Sequence, residues 1–182
     1  MRGAADFVNK NFNYPVTIAE VGVEKGLNSA EMVQKMNVKT LYAIDEYAQY
    51  TDYLGGLCPL EIQDEVYRTM FINLTPHWDK IVLVTRSSIN ASKLFPDEFF
   101  DFVYIDGNHN YECVTQDMNL WLPKVKKGCV LGGHDFDTRN VTRQDVTEAV
   151  KDFTREYGLE YIIFPEPGLG GRPAMSDWVI IR

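Results

Sequence analysis

The amino-acid sequence predicts an α/β protein with a mostly parallel sheet, and three observations carry this prediction. Short apolar runs rich in β-branched residues alternate along the chain with stretches of helical periodicity. Glycines and polar residues follow the apolar runs, as they do in loops that leave the carboxyl ends of parallel strands. The 182 residues are 45% hydrophobic, which is enough for the core of one domain. Such alternation places helices on both faces of the sheet.

The first strand, turn and helix are predicted between Thr17 and Met36. A β-prone apolar run ends near Val21, and Gly22 and Gly26 then form a tight turn. The free amides at the start of the following helix can bind a negative or polar group, and glycines let a ligand approach the backbone. We therefore expect a ligand site here; the alternative is an ordinary βα turn whose glycines serve only the bend.

Asp45 ends the second predicted strand, about 20 residues after Gly22, where an acidic residue suits the paired hydroxyls of a ribose. The glycine pattern is not that of a dinucleotide site, because Glu24 and Leu27 stand where its second and third glycines would be. The acidic residues Glu20 and Glu24 flank the turn and disfavour a pyrophosphate. The sequence thus favours a nucleoside ligand without phosphates.

The other elements follow from the same patterns. Residues 1–16 are predicted as a polar-aromatic segment with at most one or two helical turns, and residues 46–61 as irregular. The remaining strands are predicted at 81–84, 99–105, 129–131, 161–164 and 178–181, and the helices at 61–74, at 88–94, between Val114 and Trp121, and from an N-cap at Thr142 to a stop at Gly158. The last two strands have no helix between them, which indicates an antiparallel hairpin at one edge of the sheet.

Charge and composition exclude several classes of partner. The net charge is −8 and no cluster of Lys and Arg is present, so a nucleic-acid backbone is not an expected partner. No apolar run approaches the roughly 20 residues of a membrane span, and the first ten residues lack the core of a signal peptide. The three cysteines contain no C-x-x-C pair. We expect a reduced, cytoplasmic protein with a small-molecule partner and no membrane partner.

Polar residues gather at the predicted carboxyl ends of five strands. They are Glu20 and Gly22, Asp45, Ser87 and Ser88, Asp106 and His109, and His134 and Asp135. In open α/β sheets these ends form the crevice that binds ligands. Each residue also has a structural alternative: Asp106 as a turn cap, His109 as a loop hydrogen-bonding group, His134 as a packed strand end and Asp135 as an N-cap.

Several of these residues carry a resemblance to a known family. The segments E-V-G-V-E-K-G at 20–26, I-D-G-N-H-N-Y at 105–111 and G-H-D at 133–135 resemble class I S-adenosylmethionine-dependent methyltransferases. The most similar branch contains macrocin-type and other sugar O-methyltransferases and cephalosporin-hydroxylase-like proteins. The resemblance covers residues 17–182. It implies a single Rossmann-like domain over residues 1–182, with a seven-stranded sheet in the order 3-2-1-4-5-7-6 and an antiparallel last strand.

The resemblance also assigns roles to the candidate residues. Gly22 and Gly26 would line the methionine part of the cofactor beside Glu20, and Asn28 or Ser29 would contact its carboxylate. Asp45 would hold the ribose, Ser87 and Ser88 would lie near the adenine, and Asp106 would border the cofactor. A divalent ion such as Mg²⁺ would be bound by Asp106, His134 and Asp135.

The expected reaction is O-methylation of a small hydroxylated acceptor, such as a sugar or another natural product. The acceptor must lose a proton, either to a side chain or with the help of Mg²⁺; the catalytic candidates are Asp106, His109 and His134. Two alternatives remain open: an oxidoreductase that uses NAD, and a non-catalytic nucleoside-binding protein on the same fold. Because only 16 residues precede the first predicted strand, we expect residues 46–60 and 136–142 to form a lid, or a second subunit of a homo-oligomer to complete the pocket.

Overall fold

The computed structural model describes residues 1–48, 50–53, 56–137, 145–165 and 175–182. The strands within these ranges are β1 (Val16–Val21), β2 (Val38–Ile44), β3 (Tyr50–Tyr53), β4 (Gly56–Cys58), β5 (Ile81–Val84), β6 (Phe100–Ile105), β7 (Val125–Phe136), β8 (Tyr161–Phe164) and β9 (Ser176–Ile181). The helices are α1 (Gly3–Asn11), α2 (Leu27–Lys35), α3 (Leu60–Leu74), α4 (Ser88–Ser92), α5 (Tyr111–Trp121) and α6 (Asp145–Tyr157). Short 3₁₀ turns follow α3 and α5.

Seven strands form one sheet in the order β5-β2-β1-β6-β7-β9-β8, and β3 and β4 form a separate antiparallel pair. Counted along the chain within the large sheet, this order is 3-2-1-4-5-7-6, as predicted. Strand β9 runs antiparallel to both β7 and β8, while the other neighbouring pairs are parallel. The chain leaves β1 toward β2 and later returns to β6 on the other side of β1. This reversal creates a crevice at the carboxyl ends of β1 and β6.

The core lies on both faces of the sheet, as the near-continuous apolar runs require. All six residues of the central strand β6 are buried. Phe102 and Tyr104 pack on the face covered by α1, α2 and α3, whereas Val103 and Ile105 pack on the face covered by α4, α5 and α6. Side chains alternate between faces along a strand, so one buried strand contributes to both layers.

Helix α1 is longer and more deeply buried than the sequence indicated. It spans Gly3–Asn11, and Ala4, Ala5 and Val8 are fully buried against the sheet. The backbone N–H of Ala4 donates a hydrogen bond to the buried carboxylate of Asp177 in β9, at 2.8 Å. Small side chains allow this close packing, but they produce a weak apolar pattern, which is why the sequence predicted at most two turns.

Several other boundaries differ from the predicted ones, most by one or two residues, and two differences are larger. The segment 46–61 contains the β3–β4 pair and the start of α3, because its Tyr and Thr residues favour strands. Strand β7 begins at Val125 rather than at residue 129, and Gly128, with φ +74°, lies inside it where the register with β6 shifts. The predicted stop at Gly158, with φ +64°, is confirmed.

The predicted N-cap at Thr142 and most of the second proposed lid segment fall outside the described residues. Within the described part of the chain, no helix has the length and apolar character needed to cross a membrane.

Candidate active site

Gly22 joins the ends of the central strands, and the structure shows why only glycine fits there. Its φ is +88°, and a Cβ at this position would lie 2.3 Å from the carbonyl oxygen of Asp106. The N–H of Gly22 donates to the carbonyl of Ile44, and the N–H of Asp106 donates to the carbonyl of Val21. The turn is thereby tied to both β2 and β6. Protein packing alone requires this glycine, and its contact with a cofactor stays a prediction.

Gly26 is the second glycine of the turn, and the structure also disfavours a larger residue at this position. Its φ is +73°, and a Cβ would lie 2.9 Å from the side chain of Leu74 at the end of α3. The chain itself therefore fills the space on the Cβ side of both glycines, and the contact of Gly26 with a ligand stays a prediction.

Asp45, at the end of β2, holds the turn that follows β1. Its Oδ2 accepts hydrogen bonds from the backbone N–H groups of Val23 and Glu24, at 2.9 and 3.0 Å. Its Oδ1 accepts one from the N–H of Tyr47, at 3.0 Å. A carboxylate has further lone pairs, so these bonds are compatible with an additional contact to ribose hydroxyls. That contact stays a prediction.

Glu20 is buried beneath the start of α2. Its carboxylate accepts hydrogen bonds from the side-chain amide of Asn28, at 2.8 Å, and from the hydroxyl of Ser29. Burial raises the pKa of this carboxyl to about 7, although both hydrogen bonds act in the opposite direction. The Oδ1 of Asn28 is buried and has no hydrogen-bond partner among the described residues. The three predicted cofactor residues thus form one cluster, with an unfilled acceptor at its edge.

Ser88 lies at the start of α4, after β5, where the adenine was expected. Its hydroxyl donates to the carboxylate of Asp117 in α5 and accepts a hydrogen bond from the indole N–H of Trp121, at 2.8 Å. The neighbouring Ser87 precedes α4, and its side chain makes no capping hydrogen bond. Ser88 is therefore engaged by the protein, and the sequence did not identify Asp117 as its partner.

The predicted metal ligands come together at the ends of β6 and β7. One ligand atom each from Asp106, His134 and Asp135 lies within 4.8 Å of the others. His109 Nε2 lies 2.9 Å from Oδ2 of Asp135 and 3.8 Å from Oδ1 of Asp106. Asp135 has a φ of +60°, an uncommon conformation for a residue other than glycine. The predicted catalytic and metal residues therefore form one cluster.

Arg2 also belongs to this cluster, although no pattern in the sequence predicts its place there. Its Nη1 lies 2.5 Å from Oδ2 of Asp106 and 2.8 Å from the hydroxyl of Tyr104. The Tyr104 hydroxyl donates in turn to the buried Asp177, at 2.8 Å. The ion pair joins residues 104 positions apart, so no local pattern marks it.

The charges of the cluster balance one another. The neighbouring carboxylates of Asp106 and Asp135 raise the pKa of His109 to about 10, so its imidazole is protonated at neutral pH. Burial lowers the pKa of His134, but its hydrogen bond to Asp135 outweighs this and the pKa is raised. Burial acts to raise the pKa of Asp135, yet the two histidines hold it well below its usual range. Two carboxylates therefore face two cations, Arg2 and His109.

The donor set of Asp106, His134 and Asp135 fits a divalent cation. Two carboxylates and one imidazole suit a first-row transition ion better than Mg²⁺, which prefers an all-oxygen set. Both carboxylates already bond a protein cation, Arg2 in one case and His109 in the other. An incoming metal ion would therefore compete with these two side chains.

A groove of about 540 Å³ runs beside the cluster and along α2. It is lined by Arg2, Leu27, Asn28, Ala30, Glu31, Gln34, Lys35 and Asn73. Most of these side chains can donate or accept hydrogen bonds. Because Arg2 and Asn28 belong both to the groove and to the clusters described above, the groove opens next to the candidate site.

A family model described as "Methyltransferase domain" matches residues 19–136. An uncharacterized protein of Acanthamoeba polyphaga mimivirus, R132, is 27% identical over 126 residues, which cover 66% of this chain and 52% of that protein. The chain thus spans about half the length of the curated relative it matches.

Solved structures share the fold at low sequence identity. A precorrin-6y C5,15-methyltransferase from Geobacter metallireducens superposes with a TM-score of 0.65 and 13% identity, covering 98% of this chain and 88% of that one. An O-methyltransferase from Bacillus cereus, crystallised with SAH, gives a TM-score of 0.63 and 11% identity, covering 91% and 74%. Their acceptors differ, so the shared fold leaves the acceptor open.

Proposed function

Because the chain belongs to the methyltransferase domain family that matches residues 19–136, we propose that it transfers a methyl group from S-adenosylmethionine to a hydroxyl oxygen of a small molecule. The observation that carries this proposal is the meeting of Asp106, His109, His134 and Asp135 beside the Gly22 turn. Methyl transfer needs donor and acceptor to be held at close approach. A polar cluster at the end of the cofactor crevice suits an acceptor that must lose a proton.

The cofactor is proposed to lie across the ends of β1 and β2. Its amino-acid part would lie at the start of α2, where the unfilled Oδ1 of Asn28 can accept a hydrogen bond from an ammonium group. Glu20, Ser29 and the Gly22–Gly26 turn shape this end of the crevice. Asp45 would hold the ribose. The buried Glu20 and the nearby Glu24 disfavour a pyrophosphate, which argues against NAD.

A divalent cation, if bound, would be held by Asp106, His134 and Asp135, and it would lower the pKa of the acceptor hydroxyl. The chain's own side chains would orient the ligands and supply charge at the site. Arg2 orients Asp106, and the protonated His109 orients Asp135 and presents a positive charge. Asp106, His109 and His134 are the groups proposed to surround the acceptor oxygen.

The proposed acceptor is a small hydroxylated molecule, such as a sugar, rather than a nucleic acid. The groove beside the cluster offers mainly hydrogen-bonding side chains, and the chain carries a net charge of −8, which repels a phosphate backbone. Residues 46–60 directly follow Asp45 and include the β3–β4 pair, so they remain the proposed lid. The alternative, completion of the pocket by a second copy of the chain, stays equally a proposal.

Calorimetric titration of the purified chain tests the cofactor. We expect S-adenosylhomocysteine to bind and NAD not to bind; binding of NAD alone would refute the proposal. Activity is then measured as transfer of a radiolabelled methyl group to a panel of sugars and phenols, with and without Mn²⁺ or Mg²⁺. Cofactor binding without transfer to any acceptor would favour a non-catalytic nucleoside-binding protein.

A further inference from the structure

Asp117 differs from three other buried carboxylates, those of Asp101, Asp177 and Glu20. Asp101 and Asp177 each have both carboxylate oxygens engaged by protein donors, and so does Glu20. Asp117 is only 7% exposed, yet the one hydrogen bond that it accepts from the described residues is from Ser88 to Oδ1. Within the described residues, its Oδ2 has no donor. This oxygen can therefore accept a hydrogen bond from a ligand or from water.

The unengaged oxygen of Asp117 lies at the floor of the proposed cofactor crevice. A Cβ on Gly107 would be 3.8 Å from this Oδ2 and also 3.8 Å from the carbonyl oxygen of Val21. The same Gly107 backbone packs against Gly22. The oxygen is therefore close to the point where β1 and β6 end, behind the turn that distinguishes this site.

The other oxygen of Asp117 is fixed from the side of β5. Ser88 donates to Oδ1, and Trp121 donates to Ser88, which holds the serine hydroxyl in that direction. The carboxyl group is thus clamped between the loop after β5 and the end of β6. An acceptor that is fixed in this way can distinguish ligands that place a donor group at this position from ligands that do not.

The sheet order indicates which part of the cofactor reaches this place. Strand β2 has β1 and β5 as its neighbours. If the amino-acid part lies over β1 and the ribose is held by Asp45 at the end of β2, the nucleobase lies toward the end of β5. There it meets Ser88 and Asp117. The donor that adenine offers is its exocyclic amino group.

We propose that Asp117 is a specificity-determining residue of the cofactor pocket, whose Oδ2 accepts a hydrogen bond from the exocyclic amino group of adenine. The inference rests on the proposed use of S-adenosylmethionine. The pocket then distinguishes adenine from hypoxanthine, in which a carbonyl oxygen replaces the amino group. Two acceptor oxygens facing each other without a proton repel, so the hypoxanthine analogue binds weakly.

The test is calorimetric titration of the intact chain with S-adenosylhomocysteine and with S-inosylhomocysteine. The wild-type protein is expected to bind the adenosyl compound about 10- to 100-fold more tightly. In Asp117→Asn the amide can donate a hydrogen bond to the hypoxanthine carbonyl. The ratio of the affinities for the adenosyl and inosyl compounds is therefore expected to fall to about one or to reverse. Asp101→Asn is the matched control. Asp101 is a buried carboxyl at the amino end of β6 that accepts hydrogen bonds from Thr17 and Lys126. Its replacement is expected to leave the preference for the adenosyl compound unchanged.

The possible results separate the two proposals. If the wild-type protein binds neither compound, the proposed cofactor is wrong. If it binds both equally well, or if Asp117→Asn keeps the wild-type preference, the role of Asp117 is overturned while the cofactor proposal stands. The wild-type comparison needs no variant, so the inference stays testable even if Asp117→Asn fails to fold.

Discussion

Arg2 and Asp106 form an ion pair in which Nη1 and Oδ2 lie 2.5 Å apart, joining the segment before α1 to the end of β6. Asp106 is also a proposed metal ligand and borders the Gly22 turn. The ion pair therefore makes the first residues of the chain part of the candidate site. It also means that a protein cation already interacts with the carboxylate that a metal ion would need.

Replacing Arg2 with Met is expected to strengthen metal binding. Without the guanidinium, Mn²⁺ competes with His109 but no longer with Arg2 for the two carboxylates, so the affinity is expected to rise about tenfold. Mn²⁺ binding is measured by electron paramagnetic resonance. Lys10→Met, which removes an exposed cation of α1 that pairs with Asp6, is the control. Weaker binding in Arg2→Met would show instead that Arg2 is needed to hold Asp106 in place.

The identity of the bound metal is predicted to depend on His134. With its imidazole in the donor set, the wild-type protein is expected to bind Mn²⁺ or Zn²⁺ more tightly than Mg²⁺. His134→Glu replaces the nitrogen donor with oxygen and is expected to shift the preference toward Mg²⁺. Competition titrations among the three ions measure the ratio. An unchanged ratio in the variant would exclude His134 as a ligand.

Gly22→Ala is expected to destabilise the fold strongly. The added Cβ would lie 2.3 Å from the backbone oxygen of Asp106. Because this is a backbone atom, a change of side-chain rotamer cannot relieve the clash. Gly158→Ala provides the matched control, because Gly158 also has a positive φ but nothing lies within 4 Å of its Cβ position. We expect a loss of about 1 kcal/mol for the control and about 3 kcal/mol or more for Gly22→Ala, measured by urea unfolding. Equal losses would mean that the contact with Asp106 is easily relaxed.

Asp45→Ala is expected to lower stability even without a ligand. The substitution leaves the backbone N–H groups of Val23 and Glu24 without their acceptor, at a cost of about 1–2 kcal/mol. Thermal unfolding of the ligand-free protein shows this loss, and Asp79→Ala in an exposed loop serves as the control. If only cofactor affinity fell, the carboxylate would serve the ribose and contribute nothing to the turn.

Stability is expected to fall as the pH rises through about 6. Burial raises the pKa of Asp117 to about 6 in the folded protein, against an ordinary value of 3.8. The folded state therefore binds the proton more tightly, and this stabilisation is complete below the ordinary pKa and lost above pH 6. Glu20, with a pKa of about 7, acts in the same direction.

Asp117→Asn tests this dependence, because the variant cannot ionise at that position. At pH 7.5 it is expected to be more stable than the wild-type protein by about 2 kcal/mol, and its stability changes less between pH 4 and pH 7. The part of the pH dependence of stability that arises from Glu20 is expected to remain in the variant. Urea unfolding across this pH range provides the measurement, and parallel curves for the two proteins would contradict the assignment.

The strands and their chemistry were predictable because their signals are local. The apolar runs around Leu41, Val103 and Leu131 mark buried strands, and the polar residues Asp45, Asp106 and Asp135 come within a few positions after them in the sequence. Because parallel strands end at one edge of the sheet, these polar residues had to be neighbours in space. The meeting of Asp106, His134 and Asp135 was predicted on this basis and is seen in the structure.

The partners of these residues were not predictable in the same way. The sequence determined which segments form strands and which acidic residues stand at their ends, since periodicity and turn residues act within a few positions. Only the tertiary structure decided that Arg2 pairs with Asp106, that Ser88 binds Asp117, and that the Asp106 backbone fills the space beside Gly22. Such contacts join residues far apart in the chain, and their geometry depends on how the helices pack against the completed sheet.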